Sequence, residues 1–187
     1  MPDAALIDES LFPTVVSTEL DFNGRVWDVR RDVFEYNGHE LTRDYVDHPG
    51  AVAVLVLDDD GRALLIQQYR HPIRSRDWEI PAGLLDVENE DPLVAAQREL
   101  AEEVDLVASD WSPLVTFYSS PGGSNELIRV YLARGITATA NSYDRTEEEA
   151  DIVIRWVPLD DITAGVLAGD LKNSILAIAV LAAHARG

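Results

Sequence analysis

Between Gly83 and Leu106 the chain reads GLLDVENEDPLVAAQRELAEEVDL, and this stretch restricts both fold and chemistry. Asp91 suits a helix N-cap, Pro92 suits the first turn, and nothing from Leu93 to Val104 breaks a helix. The spacing therefore predicts a helix starting near Asp91. At about 100° per residue, Leu93, Ala96, Leu100 and Val104 form one apolar stripe that needs a surface to pack on. Glu99, Glu102 and Glu103 cluster on an adjoining face. Carboxylates that close repel by a few tenths of a kcal/mol per pair or more, so a partly buried face of this kind calls for a cation. Hard oxygen ligands alongside phosphate favour Mg²⁺. A lone Glu-Glu pair is ordinarily a solvated helix face. With Gly83, Glu90 and Arg98 also at their spacings, the metal-ligand reading outweighs that one, and Arg98 with Glu90 reads as an ion pair bracing the loop against the helix.

The flanking sequence predicts what this helix packs on. TVVSTELDF, RVWDVRRDVFEY and ELTRDYV read as strands, separated by turns at Asn23-Gly24 and Asn37-Gly38, which makes a small antiparallel sheet. His48-Pro49-Gly50 then breaks the chain, so residues 1–48 and 49–187 are expected to be separate domains. AVAVLVLD and ALLIQQYR, with Asp59-Asp60-Gly61 between them, are expected to form a hairpin of buried strands. After the helix come SPLVTFYSS and ELIRVYLARGI, separated by Pro121-Gly122-Gly123-Ser124, then ADIVIRWVPL and helices over about 159–168 and 172–185. The expected class is α+β.

Composition removes several alternatives. There is no cysteine, hence no disulfide, thiolate metal site or Cys nucleophile. A net charge of −19 argues against binding a nucleic-acid backbone, and an anionic substrate would need local arginines and metal to overcome that field. MPDAALIDES lacks a basic region followed by an apolar one, and the longest C-terminal apolar run is too short to span a bilayer. A cytoplasmic location with no membrane partner is the expectation.

The stretch from Gly83 resembles the Nudix box: Gly, five residues, Glu, seven residues, Arg-Glu, an aliphatic residue, any residue, Glu-Glu, any residue, Gly, aliphatic. Gly83, Glu90, Arg98, Glu99, Leu100, Glu102, Glu103 and Leu106 fall into it. There are two departures. Six residues rather than five separate Gly83 from Glu90, and Asp105 stands where the pattern has Gly. The insertion lies in a loop, where extra length is tolerated. Beyond the box, HPGAVAVL, QQYRHP, WEIPAGLLD, SPGGSNE and EEAD resemble, in this order, the ADP-ribose pyrophosphatase branch. Pro121, fifteen residues past Leu106, is the most specific of these markers.

That resemblance implies a mixed β-sheet sandwiched by helices, with the N-terminal sheet acting in a homodimer. It implies two or three Mg²⁺ or Mn²⁺ ions held by Glu99, Glu102, Glu103 and the carbonyl of Ala82. Glu149, with Glu148 as the neighbour able to substitute, matches the base that takes a proton from the attacking water, and Glu126 is the next candidate. Arg43, Arg70, Glu79 and Pro121 match substrate-binding positions. Trp27 reads as core, with stacking on adenine as its alternative. The implied reaction is hydrolysis of ADP-ribose to AMP and ribose 5-phosphate. Two alternatives stay open: another nucleoside diphosphate sugar such as GDP-mannose or a UDP-sugar, and a non-catalytic ADP-ribose sensor.

Overall fold

In the computed structural model, which describes residues 5–140, 143 and 151–186, the chain divides into two compact units. The first comprises Met1–His48 with Gly122–Ser124, and the second Pro49–Pro121 with Asn125–Gly187.

In the first unit, strands β1 (Thr14–Phe22), β2 (Asp28–Tyr36) and β3 (His39–Asp47) lie side by side in that order, both pairs antiparallel. Asn37 and Gly38 turn the chain between β2 and β3 with φ of 52° and 76°, the left-handed pair a two-residue hairpin needs. Asn23-Gly24 behaves differently from its sequence signature. Neither residue has positive φ, and the link is a longer loop reaching Trp27. Asp28 holds it by accepting from the Asn23 side-chain amide at 2.9 Å and from the Gly24 N–H at 3.3 Å. Arg31 bridges Asp44 and Asp21 across the sheet, and Arg30 pairs with Asp47.

The second unit is built around β4 (Ala51–Val56), which is buried along its whole length. It runs parallel to β9 (Leu127–Ala138) and antiparallel to β7 (Ala82–Leu84), in a four-stranded sheet of order β7-β4-β9-β8 completed by β8 (Leu106–Tyr118). A strand covered on both faces reads as continuous apolar sequence, and alternation decides which neighbours each residue meets. Val52, Val54 and Val56 pack with Ala95, Ala96, Leu100 and Val104 of α1 (Pro92–Val104). Ala51, Ala53 and Leu55 pack with Ile162 of α2 (Leu159–Ala168) and with Leu176, Ala179 and Val180 of α3 (Ser174–Arg186). The expected sandwich of helices on a mixed sheet is therefore present. Among the described residues no helix is long and apolar enough to cross a membrane.

The expected hairpin of AVAVLVLD with ALLIQQYR does not form. After one isolated bridge, Leu57 to Ala63, the chain leaves the first sheet, and β5 (Arg62–Arg70) becomes the centre of a second one, flanked by β6 (Ser75–Glu79) and β10 (Val153–Pro158). Both strands are apolar because each is central in its own sheet, a pattern that periodicity does not distinguish from a buried hairpin.

Helix α1 begins as the sequence requires. Asp91 Oδ1 accepts the Leu93 N–H at 2.8 Å, with Pro92 in the first turn. Its buried side comprises Ala95, Ala96, Leu100, Ala101, Glu103 and Val104, with Leu93 only half-buried at its edge. The helix closes on Asp105 in the left-handed conformation, φ 56°, ψ 36°. Replacing Asp91 by Ala removes the cap and is expected to cost about 1 kcal/mol. A lower midpoint in denaturant titration at unchanged m-value is the expected reading, and an unchanged midpoint would show that Pro92 alone starts the helix.

Candidate active site

The Nudix-box residues converge where β7 meets α1. Glu103 is only 4% exposed, so it does not sit on an open helix face as its sequence position suggests. Its Oε2 accepts the Ala82 N–H at 3.0 Å, joining the helix to the start of β7. One turn earlier, the carboxylate of Glu99 lies over Gly83. A Cβ on Gly83 would fall 2.0 Å from the Glu99 carboxyl carbon and 2.2 Å from Oε1. Gly83 is thus required by the space Glu99 occupies rather than by its backbone angles, since it is not among the residues with positive φ.

Arg98 organises the acidic face. Its Nε and Nη2 donate to the two oxygens of Glu90 at 3.2 and 3.0 Å, the brace the sequence suggests. Nη1 reaches Glu99 at 2.6 Å and Glu102 at 3.1 Å. Hydrogen bonding to Arg98 holds the Glu90 carboxyl below its usual range. The bond to Glu90 in turn holds the guanidinium above its own range, against the opposing effect of burial. The residue inserted between Gly83 and Glu90 is absorbed in a turn in which Asn89 adopts φ 62° and the Glu90 N–H meets the Val87 carbonyl at 3.2 Å. Among the described residues, no three His, Cys, Asp or Glu side chains converge closely enough to hold an ion in this arrangement. Glu99 and Glu102 face the Arg98 guanidinium instead.

Arg70 and Glu79, expected as separate substrate contacts, are partners. They end the neighbouring strands β5 and β6 and form a two-pronged pair, Nε to Oε1 and Nη2 to Oε2, each at 2.7 Å. Glu79 is 4% exposed whereas the Arg70 side chain is 41% exposed, so Glu79 orients a guanidinium that still faces solvent. Buried Gln68 approaches the same carboxylate at 3.5 Å, a residue that sequence reasoning missed although a glutamine inside an apolar strand signals a polar partner. Pro121 is exposed in the β8–β9 connection, where the Ser119 hydroxyl donates to Glu126. Arg43 lies on β3 in the first unit, donating to the Thr42 carbonyl at 2.7 Å. Trp27 is not core: it is 45% exposed, its ring 5.4 Å from that of His48. Glu148 and Glu149 lie outside the described residues.

The donor set tests whether a divalent ion suits the β7–α1 junction. Glu99, Glu102 and Glu103 supply only hard oxygen, beside a glycine whose missing Cβ leaves the space that one of these carboxylates fills. These donors fit a hard divalent cation and not a soft one. Asp105 is a second residue whose part the sequence hid. It reads as a poor substitute for Gly, yet its Oδ1 accepts the Tyr143 N–H at 2.8 Å.

The NUDIX domain family matches residues 47–176. An ADP-ribose pyrophosphatase of Mycobacterium tuberculosis strain H37Rv is 43% identical over 171 residues, covering 91% of this chain and 82% of the relative. An ADP-ribose pyrophosphatase of Bacillus subtilis strain 168 is 34% identical over 173 residues, covering 92% of both. A crystal structure of an ADP compounds hydrolase superposes with a TM-score of 0.76 over 95% of each chain at 23% identity, a likeness of fold. Carrying the box on the loop and helix described above, and matching the family over most of its length, the chain belongs to the Nudix family of divalent-metal-dependent hydrolases.

Proposed function

We propose that this protein hydrolyses ADP-ribose at its pyrophosphate, releasing AMP and ribose 5-phosphate. The observation that carries the reaction class is the β7–α1 junction, where Glu99 rests on Gly83 and Glu103 on the Ala82 N–H. Support for the substrate comes from the activity named for the two relatives that align along nearly the whole chain.

In this reading Glu99, Glu102, Glu103 and the Ala82 carbonyl hold two or three Mg²⁺ ions, or Mn²⁺ in their place. Bound divalent cations withdraw charge from the pyrophosphate and lower the pKa of the attacking water. Glu149, with Glu148 beside it in sequence, takes the proton as the water oxygen bonds to phosphorus and the bridging oxygen departs. Arg70, oriented by its two bonds to Glu79, is a phosphate contact, and Arg43 is a further one. Pro121 stiffens a substrate-facing loop. The N-terminal sheet, residues 1–48, is assigned to a homodimer and residues 49–187 to catalysis, with action in the cytoplasm. Three strands are a marginal sheet, and β1 leaves Val15, Val16, Leu20 and Phe22 each more than half exposed, an apolar surface that a second copy would cover.

Incubation with ADP-ribose and Mg²⁺ should release AMP and ribose 5-phosphate in equal amounts, and EDTA should stop it. GDP-mannose and UDP-glucose should show lower kcat/KM. Absence of AMP overturns the reaction, and a higher kcat/KM on another sugar nucleotide overturns the substrate.

Glu103→Gln should retain the bond to Ala82 and the fold but lose turnover, because an amide oxygen is a weak ligand for a hard cation. Near-wild-type activity in that variant would remove Glu103 from the metal set.

Gly83→Ala should melt close to wild type, since its Cβ meets a movable side chain, while activity falls because Glu99 is pushed away. If activity is retained, the contact between Gly83 and Glu99 has no part in catalysis.

A further inference from the structure

We propose that Gln68 is a positioning residue for phosphate binding, which fixes the plane of the Glu79 carboxylate and through it the direction of the Arg70 guanidinium; the inference rests on the reading of Arg70 as a phosphate contact. On one face of β5 stand Leu64, Ile66 and Gln68, exposed by 1%, 0% and 3%. An apolar residue would continue that row without polar cost, whereas a buried amide destabilises the fold unless it is hydrogen-bonded.

Its partner is the carboxylate beneath Arg70. Gln68 Nε2 donates to Glu79 Oε2 at 3.5 Å. A carboxylate paired with a guanidinium can only accept, which decides the end of the amide that faces it. The bond is long, so its contribution lies in direction more than in strength.

Direction is what the arginine pair needs. Arg70 Nε and Nη2 donate to Glu79 Oε1 and Oε2, each at 2.7 Å. Such a fork fixes the guanidinium relative to the carboxylate, but does not by itself stop the two from turning together about the glutamate side chain. A third donor on Oε2, from a separate residue, opposes that turn. Gln68 suits the task, since β5 is the central strand of its sheet and the Gln68 side chain is buried, whereas the Arg70 side chain at the strand end is 41% exposed.

The test measures kcat and KM on ADP-ribose with Mg²⁺, and melting temperature, for Gln68→Met, Gln68→Asn and Arg70→Met, and for Gln68→Met combined with Arg70→Met. Gln68→Met keeps the length and removes the donor. Gln68→Asn keeps the amide but shortens its reach, and it carries the test if Gln68→Met does not fold. Each should lower kcat/KM by roughly tenfold, the scale of one hydrogen bond to a charged group, and melt close to wild type. The loss should divide between kcat and KM in the same proportion as in Arg70→Met. In the Arg70→Met background Gln68→Met should add nothing, because both act through one guanidinium. If Arg70→Met lowers kcat/KM while the Gln68 variants keep it, or if the double variant loses the product of both effects, the positioning role is overturned and Arg70 stands as a phosphate contact. Wild-type kcat/KM in Arg70→Met overturns the reading of Arg70 and this inference with it.

Discussion

The site depends on one helix being seated on one short strand. Glu103 is a buried carboxyl group, and burying one destabilises a fold unless its oxygens find donors. The Ala82 N–H is such a donor, and forming that bond sets the depth of α1 over β7. The same seating lays Glu99 on Gly83 one turn away. Apolar packing of Ala95, Ala96, Leu100 and Val104 against Val52, Val54 and Val56 supplies the driving force but little directional information. The polar bond and the absent Cβ supply the direction, so the three carboxylates owe their register to two backbone features of β7.

Charge adds a second layer of constraint. In a chain of net charge −19, gathering Glu90, Glu99 and Glu102 within reach of one another is unfavourable, and the Arg98 guanidinium offsets it by donating to all three. Arg70 is handled in the opposite way. Its counter-charge Glu79 is buried beneath it while the arginine side chain stays partly exposed. One arginine is ringed by three carboxylates and the other rests on a buried one.

Legibility from sequence followed the range of the interactions. The α1 cap at Asp91, the Arg98–Glu90 pair and the Asn37-Gly38 turn are contacts within about a helical turn or a short loop, and the pattern of residues reports them directly. The division of β4 and β5 between two sheets was not legible, because their neighbours β9 and β10 are distant in sequence and both strands show the same apolar run. Arg70 and Glu79 could be picked out singly, but their contact depends on β5 lying against β6, with Ile66 opposite Glu79, and on the reach of the arginine side chain. Asp105 was visible as an exception to a pattern. What it touches depends on the path of the chain beyond β9, which no local signal carries.

The separation of β4 from β5 also bears on how the chain reaches this fold. Ala51 of β4 pairs with Ile128, and Ile66 of β5 with Ile154, so the centre of each sheet is completed only by strands from the far half of the sequence. The local hairpins β5–β6 and β8–β9 bring neither β4 to β9 nor β5 to β10, and the loop-closure entropy of that long-range pairing is spent before the buried strands gain their contacts. Long-range pairing of this kind slows assembly relative to a fold of local contacts, and during synthesis the apolar strands β4 and β5 emerge well before β9 and β10 can cover them.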